Sequence, residues 1–373
     1  MLAEPMAADP VLAAAPALPP ATASEGPRPG GVAGGVTTAA LSVLDLSPVP
    51  SGGSSRQALT DTVALAQEVE RLGYSRFWVA EHHGMPGVAS SAPAVLIGAV
   101  ASATEHIRVG SGGVMLSNHA PMVVAEQFGT LEALHPDRID LGLGRAPGTD
   151  PATASALRRG AGADDFVQEL LALRSFFDGQ WADGHPWAGL HAVPALGNGP
   201  AIWLLGSSGY SAQVAGLLGL PFAFAHHFAP QGTLAALELY RSSFRASPVL
   251  DAPYAMVCAS VVLADTDERA RDLALPGGLS FLRLRSGRPG LLPSEREAQA
   301  YDYSPQERAF VEDRIDKQAV GGPATVTRLL DDLVSATAAD ELMVTTMVHD
   351  PADRLRSFRL LADLRLAGVA AVA

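Results

Sequence analysis

Residues 202–230, IWLLGSSGYSAQVAGLLGLPFAFAHHFAP, read as one complete structural repeat. A short apolar run opens the stretch, the turn Gly206-Ser207-Ser208-Gly209-Tyr210 follows, and 208–218 has helical spacing that closes on Gly219. A second apolar run, 222–225, leads directly to His226-His227. Strand, helix and strand in this order predict a parallel crossover, because two parallel strands need an intervening segment that carries the chain back to its starting end.

The same unit recurs on both sides. Apolar runs at 41–46 (LSVLDL), 76–80 (RFWVA), 107–111 (IRVGS), 138–143 (RIDLGL), 201–205 (AIWLL), 222–225 (FAFA), 254–263 (YAMVCASVVL) and 342–346 (LMVTT) make eight predicted strands. Helices are predicted between them, for example over 57–72, 122–134, 166–177, 208–218 and 233–246. Eight repeats predict an α/β chain closed into a (β/α)8 TIM barrel. An open, doubly wound sheet is the alternative. Its Gly-rich dinucleotide turn is missing after the first strand, where the chain reads Asp45-Leu46-Ser47-Pro48. Two connections exceed plain barrel loops: 144–165 with 179–200 around the fourth helix, and 284–322 before the last. Both are expected to be insertions at the active-site end. The second contains Arg283, Arg285, Arg288 and Gly321-Gly322, which fits a mobile lid or a passive excursion.

With 48% hydrophobic and 17% charged residues in 373, the chain can bury a large core. A formal net charge of −13 and the lack of any basic cluster exclude nucleic acid and anionic membrane surfaces as expected partners. No apolar run approaches the roughly 20 residues that span a bilayer. Cys258 is the only cysteine, so no internal disulfide forms, and the cytoplasm is the expected compartment. Residues 1–38 are rich in Ala, Pro and Gly and read as a disordered leader, with 39–373 as a single domain. A signal peptide fits the leader less well, since Glu4 and Asp9 stand where positive charge belongs and Pro16, Pro19 and Pro20 break the apolar stretch.

In a barrel of parallel strands, chemistry collects where strands end and loops begin. The second strand ends on Glu81-His82-His83-Gly84, the third on Gly112-Gly113, the fourth on Gly142-Leu143-Gly144-Arg145, the fifth on Gly206 to Tyr210 and the sixth on His226-His227. Small residues at the start of a helix, with Arg145 nearby, suit a phosphate; Ser207 or Ser208 serves equally as an ordinary N-cap. Gly112-Gly113 admits backbone geometry that lets a flat ring press close, or an ordinary bulge. His82 suits proton transfer near neutral pH, or a structural hydrogen bond. Cys258, inside a strand, reads as a small buried hydrophobe. His82, His83, His226 and His227 could ligate a metal in a barrel hydrolase, but the first strand has no His-x-His and no acidic ligand completes the set, so no metal is expected.

These strings in this order resemble the bacterial luciferase-like monooxygenase family. VAEHHG at 79–84, RVGSGGVMLSNHAP at 108–121, AEQFGTLEALHPDRIDLGLGRAPGTD at 125–150 and the 202–230 stretch carry the likeness. The resemblance implies a (β/α)8 barrel that binds FMN, with Gly112, Gly113, Gly144, Arg145, Gly206, Ser207, Ser208, Gly209 and Tyr210 as cofactor-binding positions. The family's histidine after the second strand falls on His82, its non-prolyl cis peptide on Gly112-Gly113, and its anion-binding arginine on Arg145. It also implies molecular oxygen as co-substrate and a separate NAD(P)H-dependent reductase that supplies the reduced flavin. A homodimer is compatible with it. Leu46, Met115, Phe224, His227 and Phe228 are expected to line the pocket for an apolar substrate such as a long-chain aldehyde, a small ketone or a polyketide-like aromatic. Two departures stand out: Gly144 occupies the position of the reactive cysteine of light-emitting members, and the phosphate turn is one residue longer than theirs. A deazaflavin-dependent hydride-transfer enzyme on the same fold is the nearest alternative; a flavin-binding protein without catalysis is a more remote one.

Overall fold

The computed structural model describes residues 39–146, 148–157 and 165–372, so the leader lies outside the described residues. Strands β1 (Ala40–Asp45), β2 (Arg76–Val79), β3 (Arg108–Ser111), β4 (Ile139–Gly144), β5 (Ala201–Gly206), β6 (Phe222–Phe224), β7 (Ala255–Leu263) and β8 (Glu341–Thr345) are parallel throughout. Each pairs with its neighbours in sequence, and β8 pairs with both β7 and β1, which closes the barrel.

Helices α1 (Ser55–Arg71), α2 (Pro93–Ala103), α3 (Pro121–Leu134), α4 (Phe166–Asp178), α5 (Gly209–Leu218) and α6 (Thr233–Ser243) follow the first six strands. Local chemistry sets their ends. The Ser54 side chain accepts from the Gln57 N–H at the start of α1, and α4 and α5 stop at Gly179 and Gly219, both in the left-handed region with φ of 74° and 62°. Between β7 and β8 the chain inserts α7 (Asp267–Arg285) and α8 (Pro305–Asp316), then a short strand, Ala319–Gly321, that pairs with the end of β7, before α9 (Pro323–Thr337) returns to the barrel. Helix α10 (Pro351–Val372) follows β8.

Alternation along the strands separates two cores. Val43, Phe77, Phe222, Phe224, Val257 and Val344 point outward and pack under the helices. Leu44, Trp78, Ala223, Met256, Cys258 and Met343 fill the lumen, where the Trp78 and Trp203 rings meet edge to face at 5.2 Å. Below them lies an ionic floor. Arg76 Nη1 donates to Asp140 Oδ2 at 2.8 Å and its Nε to Glu341 Oε1 at 3.1 Å. Arg108 Nη2 donates to Asp140 Oδ1 at 2.7 Å, Trp78 Nε1 to Asp140 Oδ2 at 2.9 Å, and Tyr254 OH to Glu341 Oε2 at 3.0 Å. Burial alone would raise the Asp140 pKa, but the Arg76 and Arg108 cations outweigh it and hold the carboxyl below its ordinary value.

The expected insertions divide differently from the sequence reading. Residues 145, 146 and 148–157 follow the C-terminal end of β4 and do lie at the mouth, whereas 179–200 connect the end of α4 to the start of β5 at the opposite end, where Ala192 and Ala195 are buried and Ala195 packs against Gly129 of α3. An αβ loop and a βα loop look alike in composition; only the chain direction tells them apart. Gly321-Gly322 is tied down as well, since Gly321 sits in the short strand beside β7 and the Gly322 N–H donates to Asp267 Oδ1 at 2.6 Å.

Replacing Arg76 with Met should leave buried Glu341 without a cation and Asp140 with Arg108 alone, and lower stability by about 3–5 kcal/mol, read from the denaturant midpoint. In the wild-type protein the Asp140 contribution should be complete at neutral pH and lost as pH falls below about 4, because the folded pKa lies below the unfolded one.

Candidate active site

Because all eight strands run the same way, their C-terminal ends share one rim, and the strand-end residues singled out in the sequence meet there. His82 follows β2, half-buried. Its Nδ1 faces the Gly148 carbonyl at 3.2 Å; a carbonyl only accepts, so Nδ1 carries the proton and Nε2 the lone pair. Burial keeps its pKa below the usual imidazole value. After β6, His227 Nδ1 meets the Cys258 carbonyl at 3.2 Å, which fixes the same tautomer, and burial pushes its pKa down to about 4. His226 Nδ1 meets Thr233 Oγ1 at 2.8 Å. Each of these imidazoles thus has a bond of its own, and among the described residues no group of three or more His, Cys, Asp or Glu side chains is arranged to hold a metal ion.

Glu81 organises this side of the mouth, and the sequence reading gave it no role. Its fully buried carboxylate accepts from His83 Nε2 at 2.8 Å, His119 Nε2 at 2.9 Å and Asn118 Nδ2 at 3.2 Å on Oε1, and from the Met115 N–H at 3.0 Å on Oε2. Burial alone would raise its pKa; the bonds from His119, His83 and Met115 outweigh that and leave it below the ordinary carboxylate value. The signal was present in the strings EHHG and SNHAP, but the pairing across two loops shows only in the folded chain.

The Gly112–Gly113 peptide bond is cis. A Cβ at Gly113 would come within 2.7 Å of the Gly142 carbonyl, so barrel packing alone demands glycine there, whereas one at Gly112 would meet the end of the Leu44 side chain at 2.6 Å, which can move aside. A side chain at Gly144 would meet Met115 Sδ at 2.9 Å. Leu46, Met115 and His227 are half-buried at the rim and Phe228 is exposed, all in reach of a molecule entering the mouth. Phe224 is not: it is fully buried in the outer core beside Phe222 and near Gly232, while Ala223 takes the lumen position. Phe224 is therefore corrected from pocket wall to core. Cys258 is buried in the lumen, with its thiol pushed up by burial, as a small hydrophobe should be.

Further along the rim, where β4 and β5 end, the Arg145 guanidinium stacks over the Tyr210 ring at 4.4 Å, which brings a cation to the N-terminus of α5. Ser208 has the extended backbone of an N-cap, yet its hydroxyl makes no capping bond, and both Ser207 and Ser208 are exposed. Among the described residues no carboxylate pairs with Arg145. Two hydroxyls, uncapped N–H groups and a cation fit a phosphate monoester, the terminal group of FMN. The glycines of the turn have a plainer cause: a Cβ at Gly206 would lie 2.9 Å from Ser211 Cβ and one at Gly209 3.0 Å from Leu239 Cδ2.

A parallel eight-stranded barrel with this rim is that of a (β/α)8 oxidoreductase, and the chain belongs to the luciferase-like monooxygenase family, whose profile matches residues 40–340. It is 46% identical over 330 residues to the luciferase-like monooxygenase of Escherichia coli (strain K12), covering 88% of this chain and 97% of that protein. It is 35% identical over 331 residues to the N-acetyl-S-alkylcysteine monooxygenase of Bacillus subtilis (strain 168), covering 88% and 98%. Among solved structures it is similar to apo-MsnO8, with a TM-score of 0.81, 40% identity and coverage of 89% of this chain and 98% of that one.

Glu81→Gln removes the charge that receives donors from two imidazoles and replaces one acceptor oxygen with a donor. A loss of about 1.5–3 kcal/mol per displaced charged bond is expected, read as a fall in melting temperature and faster exchange of the Met115 amide.

Proposed function

We propose that this protein is a flavin-dependent monooxygenase that receives reduced FMN from a separate NAD(P)H-dependent reductase and uses molecular oxygen on an apolar organic substrate at the barrel mouth. The observation that carries the reading is the Arg145 cation held over Tyr210 at the start of α5, 4.4 Å from the ring and without a carboxylate partner among the described residues. Arg145, with the hydroxyls and N–H groups of Gly206 to Tyr210, would hold the phosphate. When bound, reduced FMN supplies two electrons, so that one atom of oxygen enters the substrate and the other leaves as water.

What the chain itself contributes is dryness and proton placement. Leu46, Met115 and Phe228 offer apolar surface at the rim, and Trp78, Trp203 and Met256 are packed in the lumen beneath it. His82 is the proposed proton-handling group. With Nδ1–H committed to Gly148 at 3.2 Å and the ring kept neutral by burial, Nε2 is a proton acceptor at pH 7. Protonation would end that role only below the usual imidazole range, so turnover should hold through mildly acidic pH. An aldehyde, a ketone or a polyketide-like aromatic would each suit the mouth. The single buried thiol suits a reducing compartment, and we place the protein in the cytoplasm.

Titration of FMN and riboflavin against wild type and Arg145→Ala tests the phosphate assignment, and the absorbance of the bound cofactor separates FMN from a deazaflavin. Wild type should prefer FMN by about tenfold or more and Arg145→Ala should lose the preference; equal affinities throughout would sink the reading. His82→Ala should keep FMN and the wild-type melting temperature but divert oxygen from product to hydrogen peroxide, measured on one preparation. Unchanged coupling of oxygen to product would remove His82 from the reaction.

A further inference from the structure

Helix α8 brings a second cation to the mouth, beside the loop after β6. Two residues beyond the helix, Gln318 Oε1 accepts from Ser260 Oγ at 3.1 Å, and Ser260 lies on the lumen-facing side of β7. Arg314, in the last turn of α8, lies close enough to His227 for its charge to act on that imidazole. Its guanidinium stacks on Phe281 of α7, with Cζ 4.1 Å from the ring centroid. Phe281 in turn meets the ring of Phe228 edge to face at 6.3 Å, the residue directly after His227. Arg314 is thus joined through two aromatic rings to the rim loop after β6.

Among the described residues no carboxylate pairs with Arg314. Arg314 is half-buried, and its Nε is sealed from solvent with no hydrogen-bond partner among the described residues. Of the carboxylates within two residues of it, Asp313 pairs with Lys317, Asp316 meets Arg271 Nη1 at 2.8 Å, and Glu312 is exposed to solvent with no ion pair to Arg314. Of the residues three or four away, Phe310, Val311 and Lys317 offer no side-chain acceptor, and Gln318 Oε1 already receives Ser260. Burial lowers its pKa, and the Arg314 cation adds to the burial that keeps His227 neutral. A partly desolvated guanidinium left without an acceptor is unfavourable for the protein alone, and a ligand anion would relieve it.

We propose that Arg314, stacked on Phe281 beside Phe228 and His227, is an anion subsite at the barrel mouth that receives the carboxylate of an apolar organic acid. The proposal deepens the monooxygenase reading, on which it rests, by naming the substrate class. The acid's apolar portion lies against Phe228 and Phe281 while its carboxylate takes the two-pronged guanidinium contact.

The test measures binding of 4-phenylbutyrate and of the uncharged 4-phenylbutyramide to the full chain, with and without saturating FMN, by calorimetry. Wild type should bind the acid about tenfold or more tighter than the amide. Arg314→Gln should reduce that ratio to below about threefold while FMN affinity stays unchanged. Arg314→Lys keeps the charge but loses the fork and should give an intermediate ratio. Equal affinities for acid and amide in wild type, a ratio that survives in either variant, or a preference abolished by saturating FMN would overturn the subsite; the last would assign Arg314 to the cofactor. A chain that prefers the acid but binds no FMN would overturn the flavin reading and leave the subsite standing.

Discussion

The pairing of β8 with β1 on one side and β7 on the other governs this molecule. Glu341 lies opposite both Ala40 of β1 and Met256 of β7, so the first and last strands of the repeat series are locked in register by one five-residue segment. Closure removes both sheet edges and makes every strand end on the same rim. Without it His82, from β2, and His227, from the loop after β6, would lie at distant points of an open sheet. The ionic floor is tied to the same closure. Glu341 of β8 receives Arg76 of β2 across the lumen, and Asp140 of β4 receives both Arg76 and Arg108. Four strands are thereby held together by buried charge at the end opposite the candidate site.

The two ends of the lumen differ in how their charges are answered. At the floor each buried charge has a partner, and the Asp140 carboxyl is pushed below its ordinary pKa by the cations facing it. At the mouth Glu81 is saturated with donors, His82 and His227 are held neutral, and the two arginines Arg145 and Arg314 rest on aromatic faces, Tyr210 and Phe281, with no carboxylate partner among the described residues. A chain of net charge −13 has carboxylates to spare, and cations left without them at one rim are the common ground of the two proposed anion sites.

The strands were legible because a buried parallel strand is apolar on both faces and is bounded by Gly or charge, so runs such as YAMVCASVVL declare themselves. The same property hid the phase of the shortest one. In FAFA every residue is apolar, and nothing in the string says whether Phe224 or Ala223 faces the lumen. The rim was legible where a residue's role is local: His82 and the Gly206 to Tyr210 turn follow directly from strand ends. It was illegible where the role is made by another loop. Glu81 needs His119 from the segment after β3, and Arg314 sits in PQERAFVEDRID, whose alternating charge reads as a solvated helix until Phe281 of α7 is laid against it.

The insertion between β7 and β8 therefore has a physical role that its length alone does not reveal. Its helices make a core of their own from residues such as Leu273, Leu279, Val311 and Ile315, which fixes α7 and α8 to each other. The short strand Ala319–Gly321 then extends the barrel sheet beside the end of β7, and Gln318 bonds to Ser260 in the same place. A segment anchored by its own core at one end and by sheet hydrogen bonds at the other cannot swing freely, so Phe281 and Arg314 are presented to the mouth at a fixed height. Such rigidity favours selection by shape and charge, since the side chains that meet a ligand are already held where they would bind it.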